Sequence, residues 1–523
     1  MDGGEDLREL LSRAATLGGE APFLAVGGQT LTFAELNRRV IATARGLVAR
    51  GFGRGDRLAI HVHRCGDETV ALLAAAVAGG IAVPIHSKLK DDQVLHVLDD
   101  CTPWAVVASA TRGALLLDRT RVLAGRRVFV ADSGPLDAAA APGERFADLQ
   151  QSSGDLPPLA PTEPAILLYT SGSTGLSKGV IQDHQNLRRG AAIVANYLQL
   201  SSVDHILAVL PFSFDYGLNQ LLSALHAGCR VTAADFLGLG ELAALLQTVR
   251  PTGLAGVPSL WHEVARGLQS GALLDRGGQS LRYITNSGGH LAIDDLRTIR
   301  ATWPQLAIFA MYGLTEAFRS AFLDPAEIDA HPTSFGRALP SVELLLVDPD
   351  TGVVLQGPAT GELVHAGALV ARGYWNRPEA TKERFRPDPR GTGETVVYSG
   401  DLVRRDEAGR LYFVARRDRM LKVQGHRISP DEVAQALQGW AGVGEVAVWG
   451  RDGGAQGHRI VVAVAGDPRD PELKQRILRQ CRSRLPTYMV PAVVRVLDAL
   501  PHTQNGKIDV KKLEREDPCT DTA

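Results

Sequence analysis

Apolar residues in the first part of the chain fall into short continuous runs separated by helix-length stretches. RLAIHVH (57–63), IAVPI (81–85) and WAVVAS (104–109) have the length and β-branched content of buried strands. ETVALLAAAVAGG (68–80) and DDQVLHVLDDC (91–101), between them, have the length of helices. Strands and helices that alternate along a chain build a parallel sheet covered by helices. A second series of the same texture runs from 165 to 314. Its strand candidates are ILLYT (166–170), HILAVLPF (205–212), RVTAA (230–234), GLAGVP (253–258) and LRYITNS (281–287). From 334 to 415 the pattern changes to short β runs punctuated by Gly and Pro, such as VELLLVD (342–348), GELVHAG (361–367) and GRLYFVA (409–415). That texture predicts a small antiparallel or barrel-like unit. After RRDRM (416–420) the alternation resumes. DEVAQALQGW (431–440) and PELKQRILRQCRSRL (471–485) read as helices, and EVAVWG (445–450) and RIVVAVAG (459–466) as strands. The fold class expected is therefore α/β. A large N-terminal domain, 1–417, holds two helix-covered, mostly parallel sheets and a small β-barrel-like unit. A smaller, mobile α+β C-terminal domain covers 418–523.

Composition narrows the function classes. The chain has 523 residues, 45% hydrophobic and 22% charged, the balance of a soluble globular protein with at least two cores. A formal net charge of −2 offers no global field for nucleic acid or an anionic membrane. The longest apolar run, ALLAAAVAGGIAVPI (71–85), is interrupted by Gly79, Gly80 and Pro84; it is too short to span a bilayer and reads as a buried helix entering a buried strand. The start, MDGGEDLREL, is acidic, unlike a signal peptide. The five cysteines (Cys65, Cys101, Cys229, Cys481, Cys519) have neither metal-type nor disulfide-type spacing, which suits a reducing cytosol. A soluble cytoplasmic protein with no nucleic-acid or membrane partner is expected. His61 and His63 share one strand face without a third ligand nearby, so they are read as a strand-end pair and not as a metal site.

One stretch carries candidate chemistry. YTSGSTGLSKGV (169–180) follows the buried strand ILLYT, and a helix is expected to begin after Asn186. Backbone N–H groups unshielded by side chains can wrap anionic oxygens, and the hydroxyls and Lys178 add donors and charge. It is not the common nucleotide-binding P-loop, because Lys178 is followed by Gly179 where that motif has Ser or Thr. Taken alone, the stretch suits a phosphate loop or a flexible connection equally.

Further segments decide between these. MYGLTEA (311–317), YSGDLV (398–403), ARRDRMLKVQGHRISPDEV (415–433) and LPHTQNGKID (500–509) accompany the loop. In order and spacing, from about residue 22 to 513, they resemble the adenylate-forming superfamily of acyl-CoA synthetases, peptide-synthetase adenylation domains and luciferases. SKLKDDQVLHVLDDC (87–101), LPFSFDYGLNQLL (210–222) and MYGLTEAFRS (311–320) resemble most the freestanding ligases of the exosortase-associated type.

The resemblance implies a reaction in two halves. A carboxylate attacks the α-phosphate of ATP to give an acyl-adenylate and pyrophosphate, and a thiol then displaces AMP. Two anions must meet, so the protein's task is positioning and charge neutralisation. It implies that Thr170, Ser171, Gly172, Ser173, Thr174, Gly175 and Lys178 cradle the β- and γ-phosphates. Thr315 would donate to the α-phosphate and Glu316 would hold Mg²⁺. Tyr312 and Gly313, with Ser287, Gly288 and Gly289, would lie along adenine. Asp401 would accept from the ribose hydroxyls and Arg416 would add a contact there. Lys507 would be the catalytic lysine bridging carboxylate and α-phosphate, and Asp418 the hinge about which the C-terminal domain turns, bringing the Gly425 segment to the site. Two departures stand out. Ala415 replaces the family's glycine before the arginine, and a methyl group is strained if φ is positive there; Ser177 replaces a proline in the loop.

Aligned from these anchors, the acid pocket falls on Asp215, Tyr216, Asn219, Ala255, Ile284, Asn286, Met311, Arg319 and Ser320. Asp215 matches the aspartate that binds a substrate amino group in peptide-synthetase domains. Arg319 pairs either with Asp215 or with a second polar group of the substrate. The favoured substrate is an amino acid or small polar acid. No carrier domain follows Leu513, so the thiol is expected from a separate molecule: the phosphopantetheine of a carrier protein, favoured, or CoA. The alternatives are an acyl-CoA synthetase and an amide-forming ligase on the same adenylate; an oxygenase of luciferase type and a non-catalytic relative are further readings.

Overall fold

The computed structural model describes residues 6–112, 127–131, 143–151, 153–170, 177–271, 278–416, 421–428, 430–437, 440, 443–454, 457–501 and 508–517. Near-continuous apolar runs become central parallel strands, buried on both faces, because helices cover each side. The first sheet runs Glu144–Arg145, Arg127–Val130, Ala105–Ala108, Arg57–His61, Ile81–Pro84, Pro164–Thr170, Lys178–Asp183, and all of its pairs but the last are parallel. In the second, Pro22–Val26, Arg230–Ala233, His205–Ala208, Gly253–Gly256, Tyr283–Asn286 and Ala307–Tyr312 lie side by side and parallel.

The helix Gly66–Val77 is apolar on almost every side, and it is buried on almost every side. It shares one core with Leu187, Leu218, Leu221 and Leu222 from the helices His184–Tyr197 and Asp215–Ala227. The run 71–85 is, as expected, helix then strand. Gly79 makes the turn at φ +84°, and a Cβ on Gly80 would stand 2.2 Å from the Phe52 ring.

Two features go beyond the expectations. Lys178–Asp183 is a strand, paired antiparallel with Pro164–Thr170, with Thr170 opposite Lys178 and Leu168 opposite Val180. The residues flanking the loop therefore pair as a β-hairpin, and a strand stands between the loop and the helix expected after Asn186. The helix starts at His184, where the Asp183 side chain accepts from the backbone N–H of Asn186 as N-cap. The strands of 334–416 form the antiparallel unit expected, but it is not set apart from the sheets. They continue through Ala321–Phe322 onto Ala307–Tyr312, so the second parallel sheet and the antiparallel unit form one hydrogen-bonded ribbon.

From Leu421 onward a separate core forms around Ile428, Val433, Val462 and Ile477. It is built on the strands Val446–Asp452, His458–Ala465 and Val493–Leu497 and the helix Leu473–Arg484. The boundary expected between 417 and 418 lies outside the described residues. No described helix is long and apolar enough to cross a membrane.

Candidate active site

Three parallel strands end at one cavity of about 920 Å³, where Thr170, Ser287 and Gly313 stand at or just past the carboxyl ends of Pro164–Thr170, Tyr283–Asn286 and Ala307–Tyr312. In open α/β sheets this is the end at which ligands bind. Gly425, His426 and Tyr488 from the C-terminal part also line it.

Thr315 and Glu316 occupy the short 3-10 turn Thr315–Ala317 that follows the strand Ala307–Tyr312. Gln182 Nε2 donates to the carbonyl of Thr315 at 2.5 Å, and Tyr374 Oη donates to Glu316 Oε1 at 2.6 Å. The same tyrosine ring lies 5.4 Å from Lys178 Nζ, a cation–π contact. Tyr374 therefore ties the lysine of the hairpin to the carboxylate of the turn. Burial holds the Lys178 ammonium below its ordinary pKa, and the charges of Glu383 and Glu316 oppose that shift.

Asp401 is buried on the strand Thr395–Arg405, with Arg416 opposite it on Leu411–Arg416. The Tyr312 hydroxyl donates to Asp401 Oδ2, and Ser399 Oγ accepts from the Asp401 backbone N–H at 3.0 Å. The Tyr312 ring stacks on Phe335 at 4.6 Å and on His365 at 5.8 Å. Ala415 stands opposite Leu402 inside the strand, where extended backbone accepts any residue, so the glycine-to-alanine departure brings no strain. Asn286 Nδ2 donates to the Gly289 carbonyl at 2.9 Å and closes the Ser287-Gly288-Gly289 turn, with Gly288 at φ +84°.

On the acid side, Asp215 opens the helix Asp215–Ala227 and is buried. The Tyr216 hydroxyl bonds that of Thr285, and the guanidinium of Arg319 lies over the Tyr216 ring at 4.6 Å. Tyr197 Oη donates to the sulfur of Met311 at 2.9 Å. Asp215, Tyr216, Asn286, Met311 and Arg319 line the cavity. Asn219 and Ser320 are not among its lining residues, and neither are Ala255 and Ile284. Asn219 is one helical turn past Asp215 and accepts from Ser223 Oγ at 2.9 Å; Ser320 Oγ pairs with His365 Nδ1 at 2.8 Å. Ser171, Gly172, Ser173, Thr174, Gly175, Asp418 and Lys507 lie outside the described residues, as does the side chain of Arg416.

Sequence reasoning missed Gln182 and Tyr374. Neither carries a local signal, since each acts on a residue far along the chain. It also missed the junction with the C-terminal part. There the His426 ring stacks on Tyr488 at 3.7 Å, and Gln93 Nε2 donates to Glu432 Oε1 at 3.0 Å. Burial pushes His426 down to about 3, His86 down to about 4 and Glu432 up to about 7.

A family model described as AMP-binding enzyme matches residues 11–375, and one described as AMP-binding enzyme C-terminal domain matches residues 432–507. The chain belongs to the AMP-binding enzymes. One of the linear gramicidin synthase proteins of Brevibacillus parabrevis is 33% identical over 492 residues, 93% of this chain but 6% of that protein, so the chain spans a small part of that relative. The L-proline–[L-prolyl-carrier protein] ligase of Streptomyces coelicolor is 30% identical over 507 residues, covering 94% of this chain and 93% of the ligase. A solved malonyl-CoA ligase, in a ternary product complex with methylmalonyl-CoA and AMP, is 28% identical and superposes with a TM-score of 0.75 over 92% of this chain and 97% of the other.

AMP-binding enzymes form adenylates from ATP, and the donor set here fits a magnesium–nucleotide. Thr315, Glu316 and Lys178 offer a hydroxyl, a carboxylate and an ammonium, held together by Gln182 and Tyr374. Mg²⁺ takes one or two protein carboxylates and completes its shell with phosphate oxygens and water. Among the described residues no group of three or more His, Cys, Asp and Glu could hold a metal ion.

Proposed function

We propose that the protein activates an amino acid or another small polar acid as its acyl-adenylate, releasing pyrophosphate, and then passes the acyl group to a phosphopantetheine thiol with release of AMP. The observation that carries the reading is the tie through Tyr374, which joins Lys178, paired opposite Thr170, to Glu316, next to Thr315; Thr170 and Thr315 line the cavity, and Lys178 and Glu316 stand just behind them, outside its lining. The side with Thr170 and Thr315 receives the triphosphate. Lys178 and the hairpin loop neutralise the β- and γ-phosphates that leave together, and Thr315 donates to the α-phosphate. Glu316 would hold the magnesium ion, which draws charge from the phosphate oxygens. Asp401, fixed by Tyr312, accepts from the ribose hydroxyls, and Ser287, Gly288 and Gly289 leave room for the base.

The acid lies beside Asp215, whose buried carboxylate suits an ammonium partner. Lys507 serves the bond being made by meeting the substrate carboxylate and the α-phosphate. In this reading residues 1–417 hold the nucleotide and the acid, and 418–523 turn about Asp418 between the two half-reactions. The packing of Gly425 against Gly288 supports the arrangement that admits the thiol. Likeness to an amino-acid–carrier-protein ligase supports a carrier protein as acceptor. Likeness to a malonyl-CoA ligase keeps CoA as the second reading.

Substrate-dependent ATP–pyrophosphate exchange over amino acids and simple acids tests the first half. Lys507→Ala is expected to lower exchange by roughly 10²–10³-fold. Thioester formation with CoA against carrier proteins decides the acceptor. A protein that binds ATP but exchanges with no acid would sink the proposal.

A further inference from the structure

The side chain of Arg319 is at odds with its surroundings. It is 3% exposed, lines the cavity beside Asp215, and is stacked on the Tyr216 ring at 4.6 Å. Its Nε and Nη2 are both buried and find no hydrogen-bond acceptor among the described residues. Stacking on an aromatic face occupies the flat of the guanidinium and leaves its in-plane N–H groups to be satisfied. A buried cation with unmet donors is costly, so an acceptor that arrives with the ligand relieves it.

Which acceptor follows from which nitrogens are unmet. Nε and Nη2 lie on one edge of the guanidinium and point two N–H bonds in parallel, the fork that a single carboxylate fills bidentately. A neutral amide offers one oxygen to the same fork and leaves the charge uncompensated. The neighbouring phenols exert no competing claim. The Tyr216 hydroxyl is engaged with Thr285 and that of Tyr197 with Met311, and burial holds both phenols well above their ordinary pKa, so both stay neutral.

We infer that Arg319 binds a second carboxylate on the acid substrate. This rests on the reading of the cavity as the acid site. Combined with an ammonium on Asp215, it makes the substrate class an amino acid with an acidic side chain. The buried guanidinium then meets an opposite charge on the edge where its donors are unmet.

The test is ATP–pyrophosphate exchange with paired acids: glutamate against glutamine, aspartate against asparagine, and glutarate, which has the second carboxylate but no amine. The acidic member is expected to exceed its amide in kcat/KM by about tenfold or more. Arg319→Met should abolish that preference and Arg319→Lys retain part of it. A neutral acid preferred by the unaltered protein would overturn the inference without any variant having to fold. So would an Arg319→Met protein that loses all acids by the same factor, because Arg319 would then serve the reacting carboxylate. Exchange with glutarate but with no amino acid upholds Arg319 and removes the amine role of Asp215. Exchange with no acid at all overturns the proposed function and this inference with it.

Discussion

Gly288 and Gly425 touch where the C-terminal part reaches the cavity. A Cβ on Gly288 would lie 3.2 Å from the Gly425 carbonyl oxygen, and a Cβ on Gly425 would lie 2.5 Å from Val257 Cγ1. Both residues have positive φ, +84° and +81°. Only glycine reconciles that backbone with so close an approach, and it is here that the C-terminal part reaches the turn assigned to adenine.

Gly425→Ala should therefore disfavour this docked arrangement. The rate of thioester formation is expected to fall by tenfold or more, taking about 1–3 kcal/mol for one strained left-handed residue, while pyrophosphate exchange, which needs no thiol, falls far less. Single-turnover acyl transfer alongside exchange separates the two, and equal losses in both would contradict the docking role.

Tyr374→Phe keeps the ring under Lys178 and removes the hydroxyl from Glu316. A hydrogen bond to a charged group is worth about 1.5–3 kcal/mol. Exchange is expected to slow by roughly 10–100-fold, with a higher magnesium requirement. An unchanged magnesium titration would show that Tyr374 does not organise Glu316.

Tyr312→Phe removes the hydroxyl that holds Asp401 and leaves the stack on Phe335. The KM for ATP should rise about tenfold, with a smaller effect on the KM for the acid. Exchange measured against each substrate in turn checks this.

Glu432 sets a pH dependence. Its residue is partly exposed, but its Oε2 is buried, and burial raises the carboxyl from 4.5 to about 7 against the lowering effect of Gln93. The folded protein thus retains a proton that the unfolded chain releases between those values. Stability falls as pH rises through that window, by at most on the order of 3 kcal/mol. Glu432→Gln has no such loss. Its melting temperature relative to the parent should climb from about pH 4.5 to 7 and then level off. His86 and His426 titrate in both proteins and drop out of the difference. A flat difference over this range would refute the burial of the charge.

Elements whose own residues dictate their state were legible in the chain. IAVPI and WAVVAS became the strands Ile81–Pro84 and Ala105–Ala108, because β-branched runs buried on two faces have no other stable placement. The segment Lys178–Asp183 was not legible. Its strand state comes from pairing with Pro164–Thr170, and strand preference depends on the partner more than on the segment. The union of the antiparallel strands with the second parallel sheet was hidden for the same reason, since two residues, Ala321 and Phe322, make that join.

The site divides along the same line. Sequence by itself determined the kinds of group present, a lysine among glycines, Thr315 with Glu316, and Asp401, because a side chain's charge and donors belong to the residue. Tertiary structure decided which groups meet. Tyr374 lies between Lys178 and Glu316, the Asn219 amide oxygen is engaged by Ser223, and Arg319 stacks on Tyr216 with one edge of its guanidinium unmet. Those distances are set by how strands far apart in the chain come side by side, and no local pattern of residues encodes them.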